Sequence, residues 1–241
     1  MMRFLPAVFI ALTAAVSLAP AWAADTRPVE ADFASFRAPA YPLVTHDPYF
    51  SIWSTSEAPT GEWSQHWTGK PHPLCGLVRI DGRAYRFFGP EPETAPPMPM
   101  VRGEVWPTRT VYQYQAGGVE LTLTFLTPTL PHDLALLSRP ATYLTWEARS
   151  LDGRPHTVQI YFDASAEIAV NTPDQLVEWL RLRLADADVL RIGSVEQPIL
   201  ARSGDDLRID WGHLYLAVPD SPGGQTVIAE GRACRERFAG E

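Results

Sequence analysis

The stretch that decides the fold is CGLVRIDGRAYRFFG, residues 75–89. Two runs rich in apolar, β-branched and aromatic residues flank Asp81 and Gly82. The Asp-Gly dipeptide readily adopts the positive φ angles of a two-residue type I′ turn, so the pattern predicts a β-hairpin.

The same chemistry recurs along the chain. In RTVYQYQAGGVELTLTFLTP, residues 109–128, Gly117 and Gly118 separate two strand-like runs. Apolar and polar residues alternate after the glycines, which predicts a second hairpin with one buried and one solvated face. A third pair, 142–150 and 156–164, is joined by turn residues and is predicted to form another hairpin.

The C-terminal half is also predicted to be strand-rich. Residues 171–188 carry both helix-capping residues and a strict Leu-Arg alternation over 180–184, and the alternation favours a strand. The stretch 229–241 favours a short helix. Three further runs have the length and composition of strands: 188–193, 206–210 and 213–219.

Many strands, regular turns and 23 prolines, without helices at the spacing of parallel units, predict an all-β, mostly antiparallel β-sandwich. An incomplete super-sandwich is a variant of this prediction. Residues 24–90 form a first segment with a hairpin, and residues 91–106 are a Pro-rich connector that crosses in extended conformation. Residues 107–241 form the sandwich domain, which we expect to be truncated at its C-terminal end.

The N-terminus has the pattern of a secretory signal peptide. One basic residue precedes an apolar run over 4–18, and Ala21-Trp22-Ala23 matches the small-x-small cleavage pattern. We therefore predict removal of residues 1–23 and export to the periplasm or the medium. No later run approaches the roughly 20 apolar residues of a membrane helix, so no span is expected after cleavage.

Composition and missing motifs exclude several functions. The net charge is -8, and an acidic surface repels a phosphate backbone, so nucleic-acid binding is not expected. The sequence contains no Gly-rich phosphate loop, GxSxG, HExxH or CxxC motif. We expect neither a cofactor nor a metal site, and no residue is assigned a catalytic role.

The stretch HDPYFSIWSTSEAPTGEWSQHWTGK, residues 46–70, concentrates the candidate contact residues. Adjacent residues of an extended chain face opposite ways, so Asp47 is expected to accept backbone hydrogen bonds at a turn rather than to share a proton with its neighbour. Trp63, His66 and Trp67 can either contact a ligand or a partner domain, or close the end of the core, and the sequence favours neither.

Two other pairs are weaker candidates. Asp163 and Glu167 have the residue types of a glycosidase pair but are more simply read as carboxylates near a strand end. Cys75 and Cys234 are the two cysteines, and export would permit a disulfide between them, although separate thiols with Cys75 buried are the simpler reading.

Several long motifs, in order, resemble the glutaminase A family. They are RAPAYPLVTHDPYFSIWS, HWTGKPHPLCGLVRIDGRAYRFFG, LTFLTP, SRPATYLTWEARS, VQIYFDASAEIAVNTPDQ and DDLRIDWGHLYLAVP. The resemblance spans about 36–219 and implies an N-terminal β-sandwich region followed by a helical domain of the six-hairpin toroid type. The activity it implies is hydrolysis of glutamine to glutamate and ammonia.

The resemblance makes the helical catalytic domain of a complete protein the expected partner, since no such toroid occurs in this sequence. The chain would then support a site carried elsewhere. Two alternatives remain: a stand-alone module that binds a carbohydrate or peptide on Trp63 and Trp67, and a gene fragment without independent function.

Overall fold

The computed structural model describes residues 6–15 and 38–240, the first of these ranges as backbone alone. Two α-helices, α1 Leu134–Leu137 and α2 Gly231–Gly240, and a 3₁₀ turn at Ala166–Ala169 accompany the strands. The strands in chain order are β1 Pro6–Ala15, β2 Tyr41–Thr45, β3 Ser51–Ser54, β4 Leu74–Ile80, β5 Arg83–Phe88, β6 Met100–Trp106, β7 Arg109–Ala116, β8 Val119–Leu126, β9 Tyr143–Ser150, β10 Thr157–Ser165, β11 Val177–Leu184, β12 Ala187–Ser194, β13 Leu214–Pro219 and β14 Gln225–Glu230.

The described strands form four sheets, and all their pairings are antiparallel. The largest has the order β14-β1-β10-β4-β5, and a four-stranded sheet has the order β6-β7-β8-β9. A three-stranded sheet, β11-β12-β13, and the β2-β3 hairpin complete the set. The predicted all-β, mostly antiparallel class is confirmed.

The main core lies between the five-stranded and four-stranded sheets. β4 and β10 contribute aliphatic and aromatic side chains from one sheet, and β7 and β8 contribute them from the other. Strand alternation explains this, because β8 has the burial pattern of one fully buried and one partly solvated face. The fully buried large side chains of this core include Phe87, Phe88, Tyr112, Tyr114, Leu121, Leu123, Phe125 and Phe162.

β4 is buried on both faces along its whole length. Val78 and Ile80 belong to the main core, whereas Cys75 and Leu77 pack in a second cluster with Phe238 of α2. The helix therefore covers the outer face of the five-stranded sheet, which explains why β4 reads as a nearly continuous apolar run.

The first two predicted hairpins are confirmed. Asp81 and Gly82 have φ of 49° and 86° between β4 and β5, as a type I′ turn requires. Gly117 and Gly118 have φ of 56° and 76° between β7 and β8. The predicted strand over 180–184 lies in β11, and the predicted C-terminal helix is α2.

The third predicted hairpin is wrong in its pairing, although both strands form. β9 pairs with β8, and β10 pairs with β4 and β1, so the chain crosses from one sheet to the other at 151–156. The burial patterns give the reason: alternate residues of β9 are exposed, while β10 is buried along most of its length. β10 therefore takes a central position that a simple hairpin would not provide.

One further prediction needs correction. Residues 206–210 are not a strand; the Arg208 backbone and side chain instead bond to Asn171, with the Arg208 N–H donating to Oδ1 at 3.0 Å and Nε donating to the carbonyl at 3.0 Å. The Pro-rich connector predicted over 91–106 contains β6 in its second half, paired with β7. The extended conformation there is used for sheet formation.

β1 overlaps the predicted signal peptide. It pairs with nine residues of β10 and six of β14, whereas the Ala21-Trp22-Ala23 motif lies outside the described residues. Removal of residues 1–23 would open the facing edges of β10 and β14, and unpaired edges invite new strand pairing. Among the described residues, no helix has the length and apolar content needed to cross a bilayer.

A histidine between two carboxylates ties the β4–β5 turn to the β9–β10 connection. His156 Nδ1 lies 2.6 Å from Asp81 Oδ2, and its Nε2 lies 3.0 Å from Asp152 Oδ1. These hydrogen bonds, the one to Asp81 first, raise the pKa of His156 above 6.5. An imidazolium donates from both nitrogens and so suits both carboxylates.

We expect His156→Gln to remove a pH-dependent stabilisation. Because the folded pKa is raised, the contribution is fully present below the ordinary pKa of 6.5 and is lost as the pH rises through the folded pKa. Urea unfolding should show the parent more stable than the variant just below pH 6.5, with the difference shrinking at alkaline pH. A constant difference across that range would contradict the prediction.

Candidate functional site

A surface cleft lies between the β2–β3 hairpin and the loop that follows β3. Its volume is about 370 Å³, within the range of about 300–1,000 Å³ that is usual for small-molecule sites. Its lining is mainly aromatic and aliphatic surface with a few polar groups. The lining residues are Thr45, His46, Asp47, Pro48, Ser51, Trp53 and Trp67.

The turn at 46–50 forms one wall of the cleft. Asp47 Oδ1 accepts the N–H groups of Tyr49 at 2.7 Å and Phe50 at 3.0 Å, which confirms its predicted role as a turn acceptor. His46 stacks on Phe50, with ring centroids 5.4 Å apart, and its Nε2 lies 3.1 Å from Thr142 Oγ1. Burial lowers the pKa of His46 and outweighs the opposite effect of Asp47, so the imidazole is neutral at pH 7.

The opposite wall is held by two side chains that share one carbonyl. Trp67 Nε1 donates to the Pro48 carbonyl at 2.5 Å, and His66 Nε2 lies 3.0 Å from the same oxygen. His66 Nδ1 lies 3.3 Å from the N–H of Thr68, so this nitrogen accepts and Nε2 carries the proton. Trp67 is 52% exposed, yet its indole is fixed in orientation.

Two uncharged imidazoles lie behind this wall, near the buried guanidinium of Arg208. His72 is buried beside His66, with ring centroids 5.1 Å apart, and burial lowers the pKa of His72 to about 3. Burial also lowers the pKa of His66. Both imidazoles are therefore neutral at physiological pH and add no positive charge near the cleft.

Trp63 belongs to different surroundings from the other predicted contact residues. Its ring stacks on the guanidinium of Arg235, 4.8 Å from the ring centroid, and packs against the second cluster beneath α2. The structure thus brings Asp47, His66 and Trp67 together around Pro48, and it assigns Trp63 to the core.

A buried ion pair lies beside Trp63. Arg235 donates through Nε to Asp163 Oδ2 at 2.7 Å and through Nη2 to Oδ1 at 2.8 Å, while Nη1 donates to Glu91 Oε2 at 2.9 Å. Tyr161 donates to Asp163 Oδ2 at 2.6 Å. Burial disfavours the charge on Arg235, but the Asp163 carboxylate raises the pKa of the guanidinium. The Asp163 carboxylate is fully buried and hydrogen-bonded to Arg235 and Tyr161, which disfavours a catalytic pair with Glu167.

The two cysteines are free thiols in the structure. Cys75 is buried, donates to the Glu91 carbonyl at 3.2 Å and has a pKa raised by burial. Cys234 packs against the same cluster and is partly accessible. Within residues 38–240, no group of three or more His, Cys, Asp or Glu side chains could hold a metal ion.

Comparison with known families gives two matches. The family described as "Domain of unknown function (DUF5127)" matches residues 108–241, more than half of the chain. The chain belongs to the DUF5127 family. A second description, "Domain of unknown function (DUF4964)", matches residues 14–97, which include the cleft.

The DUF5127 chain is homologous to glutaminase A. It is 30% identical over 199 residues to "Glutaminase A" of Aspergillus oryzae, covering 79% of this chain and 29% of that protein. It is 25% identical over 202 residues to "Probable glutaminase" of Arthroderma benhamiae, covering 74% of this chain and 23% of that protein. The chain thus spans about a quarter of the relatives' length. No solved structure matches it significantly.

Ser51 and Trp53 of this DUF5127 chain are among the lining residues that were not predicted as contact residues. A signal was present, since residues two apart on a strand face the same side and Ile52 between them is buried in the main core. The Arg235 network had no local signal, because Arg235 lies on α2 whereas its partners Asp163 and Glu91 lie on β10 and in the loop after β5.

Proposed function

We propose that this chain is the N-terminal β-sandwich portion of an exported glutaminase A-like protein. In this proposal it supports hydrolysis of glutamine to glutamate and ammonia by a helical domain. The observation that carries the proposal is homology over 79% of this chain but 29% of the Aspergillus oryzae glutaminase A. Most of that relative has no counterpart here, and we place the catalytic groups in that part.

Three of the described side chains fit a supporting role. Amide hydrolysis needs a nucleophile or activated water, a base within reach and donors for the oxyanion. His66 contacts a backbone carbonyl, His72 is enclosed and the Asp163 carboxylate is paired with Arg235. None of these three groups is free to act on a substrate.

The cleft is also unsuited to free glutamine. Glutamine carries an α-carboxylate, which binding sites commonly meet with an Arg or Lys side chain. No Arg or Lys is among the residues that line the cleft, and Asp47 adds a negative charge. This favours a glutamine site elsewhere in the complete protein.

A replacement experiment tests the proposal. We expect the 241-residue chain alone to release no ammonia from glutamine above the buffer background. The Aspergillus oryzae relative should lose ammonia release when the matched segment is deleted and keep it when this chain replaces that segment. Ammonia release by the isolated chain, or full activity of the deleted relative, would contradict the supporting role.

Expression of the chain in bacteria tests the proposed export. Expressed with its own leader in a bacterial host, the chain should appear in the periplasm or the medium with an intact mass lower by residues 1–23. Substitution of Ala23 by Arg, which breaks the small-x-small pattern, serves as the control and should leave the precursor uncleaved. Retention of residues 1–23 by the exported parent would refute the leader assignment.

A further inference from the structure

We propose that the cleft between the 46–50 turn and Trp67 binds one uncharged sugar ring, stacked on the Trp67 indole. This site does not depend on glutamine hydrolysis, since the chain would keep it whether or not a catalytic domain is attached. Three features of the cleft carry the proposal: an exposed indole held by a hydrogen bond, two buried polar groups without partners among the described residues, and a lining without an Arg or Lys side chain.

The indole of Trp67 is both exposed and held in place. Its Nε1 donates to Pro48 at 2.5 Å, and His66 contacts the same carbonyl from behind. A side chain with 52% of its surface accessible would usually change rotamer freely, but this hydrogen bond to a residue 19 positions away restrains it. A preorganised aromatic face loses little conformational entropy on binding, which favours stacking of a ring.

Two lining residues carry polar atoms that need a partner. The Oγ of Ser51 and the Nε1 of Trp53 are buried and have no hydrogen-bond partner among the described residues. Ser51 is 5% exposed, so bulk water reaches it poorly. A buried unpaired donor is costly, and the indole N–H can only donate. A ligand with hydroxyl oxygens beside an apolar ring face offers the kind of partner that both groups lack.

The charges select an uncharged ligand. Among the residues that line the cleft, Asp47 is the one with a carboxylate, and none carries an ammonium or guanidinium group. Anionic ligands such as phosphates and carboxylates therefore meet no counter-charge. A quaternary ammonium would suit aromatic rings and Asp47, but it has no acceptor for the Trp53 N–H. A neutral pyranose presents an apolar face and acceptor oxygens together.

Titration calorimetry with the 241-residue chain tests the site. The probes are methyl α-D-glucopyranoside, methyl β-D-galactopyranoside, maltotriose and cellotriose, with choline chloride and glutamine for comparison. We expect saturable binding of at least one sugar with a Kd of roughly 0.1–10 mM. Trp67→Ala should weaken it about tenfold or more, and Ser51→Ala about threefold.

The control variant is Trp179→Ala. Trp179 is 56% exposed on β11, outside the cleft, so its loss should change the sugar Kd by less than about twofold. Trp67→Phe keeps an aromatic ring and should bind more tightly than Trp67→Ala, and thermal unfolding of each variant shows that it is folded. Three results would overturn the proposal: no saturable sugar binding, sugar binding unaffected by Trp67→Ala, or tighter binding of choline or glutamine than of any sugar.

Discussion

Replacement of Arg235 by Met is expected to lower the free energy of unfolding by about 3–5 kcal/mol, the usual cost of removing one partner of a buried ion pair. Asp163 is fully buried, and Arg235 supplies hydrogen bonds to both of its carboxylate oxygens. Without the guanidinium, a carboxylate would remain in the interior with Tyr161 as its donor. The loss would also release Glu91 and uncover Trp63.

The consequence extends beyond the pair, because Arg235 joins α2 to β10. α2 covers Cys75 and Leu77 on the outer face of the five-stranded sheet. We therefore expect hydrogen exchange of α2 amides to accelerate in the variant before global unfolding, and Tm to fall by roughly 10 °C. Differential scanning calorimetry and exchange mass spectrometry measure the two effects.

The chain offers a matched control in the same helix. Arg232 contacts the same Glu91 at 3.2 Å, but its side chain is 67% exposed, so Arg232→Met should cost less than about 1 kcal/mol. The double variant Asp163→Leu/Arg235→Met should be more stable than Arg235→Met, because it no longer buries an unpaired charge. A loss below about 1 kcal/mol for Arg235→Met would show that the pair is not important for stability.

The sequence predicted the elements whose structure is set by neighbouring residues. Asp81-Gly82 and Gly117-Gly118 dictate tight turns by their backbone freedom, and both hairpins form there. Asp47 likewise binds backbone groups two and three residues away. Such interactions are local, so their outcome does not depend on the remainder of the fold.

The errors lie where distant residues compete with local patterns. The short connection after β9 suggested a hairpin, yet β10 pairs with β4, because burial of both faces requires a central position. Residues 206–210 have strand composition, but the hydrogen bonds of Arg208 to Asn171, 37 positions away, fix an irregular conformation. Neither the pairing of β10 nor the conformation of residues 206–210 can be predicted from a short window of sequence.

The candidate site was predicted in part for the same reason. Trp67 was recognised as an aromatic side chain on a loop, but Trp63, four residues earlier, serves the core by stacking on Arg235. From the sequence alone, the two indoles could not be told apart as contact residues or core residues. What distinguishes them is the long-range contact of each: Pro48 for Trp67, and a guanidinium from α2 for Trp63.

Gly76→Ala is expected to lower the free energy of unfolding by about 3 kcal/mol, at the upper end of the usual cost of overpacking. A Cβ on Gly76 would lie 2.2 Å from Phe87 Cε2 and 2.4 Å from Cζ. Phe87 is fully buried and packs at a tilt against Tyr114, with ring centroids 6.0 Å apart, so the ring has little room to move. Urea denaturation of parent and variant measures the difference.

The control and the rescue follow from the same geometry. Gly61 is exposed, and a Cβ there would come no closer than 3.4 Å to its nearest neighbour, so Gly61→Ala should be nearly neutral. Phe87→Leu removes two of the three ring atoms that would lie within 3.0 Å of a Cβ on Gly76, Cε2 and Cζ, at the cost of a smaller core side chain. The loss of unfolding free energy in the double variant should therefore be smaller than the sum of the two single losses, by about 1–2 kcal/mol. Additive losses would contradict this explanation. They would mean that the Phe87 ring moves aside without an energetic cost, and that its close approach is not the reason for glycine at position 76 of β4.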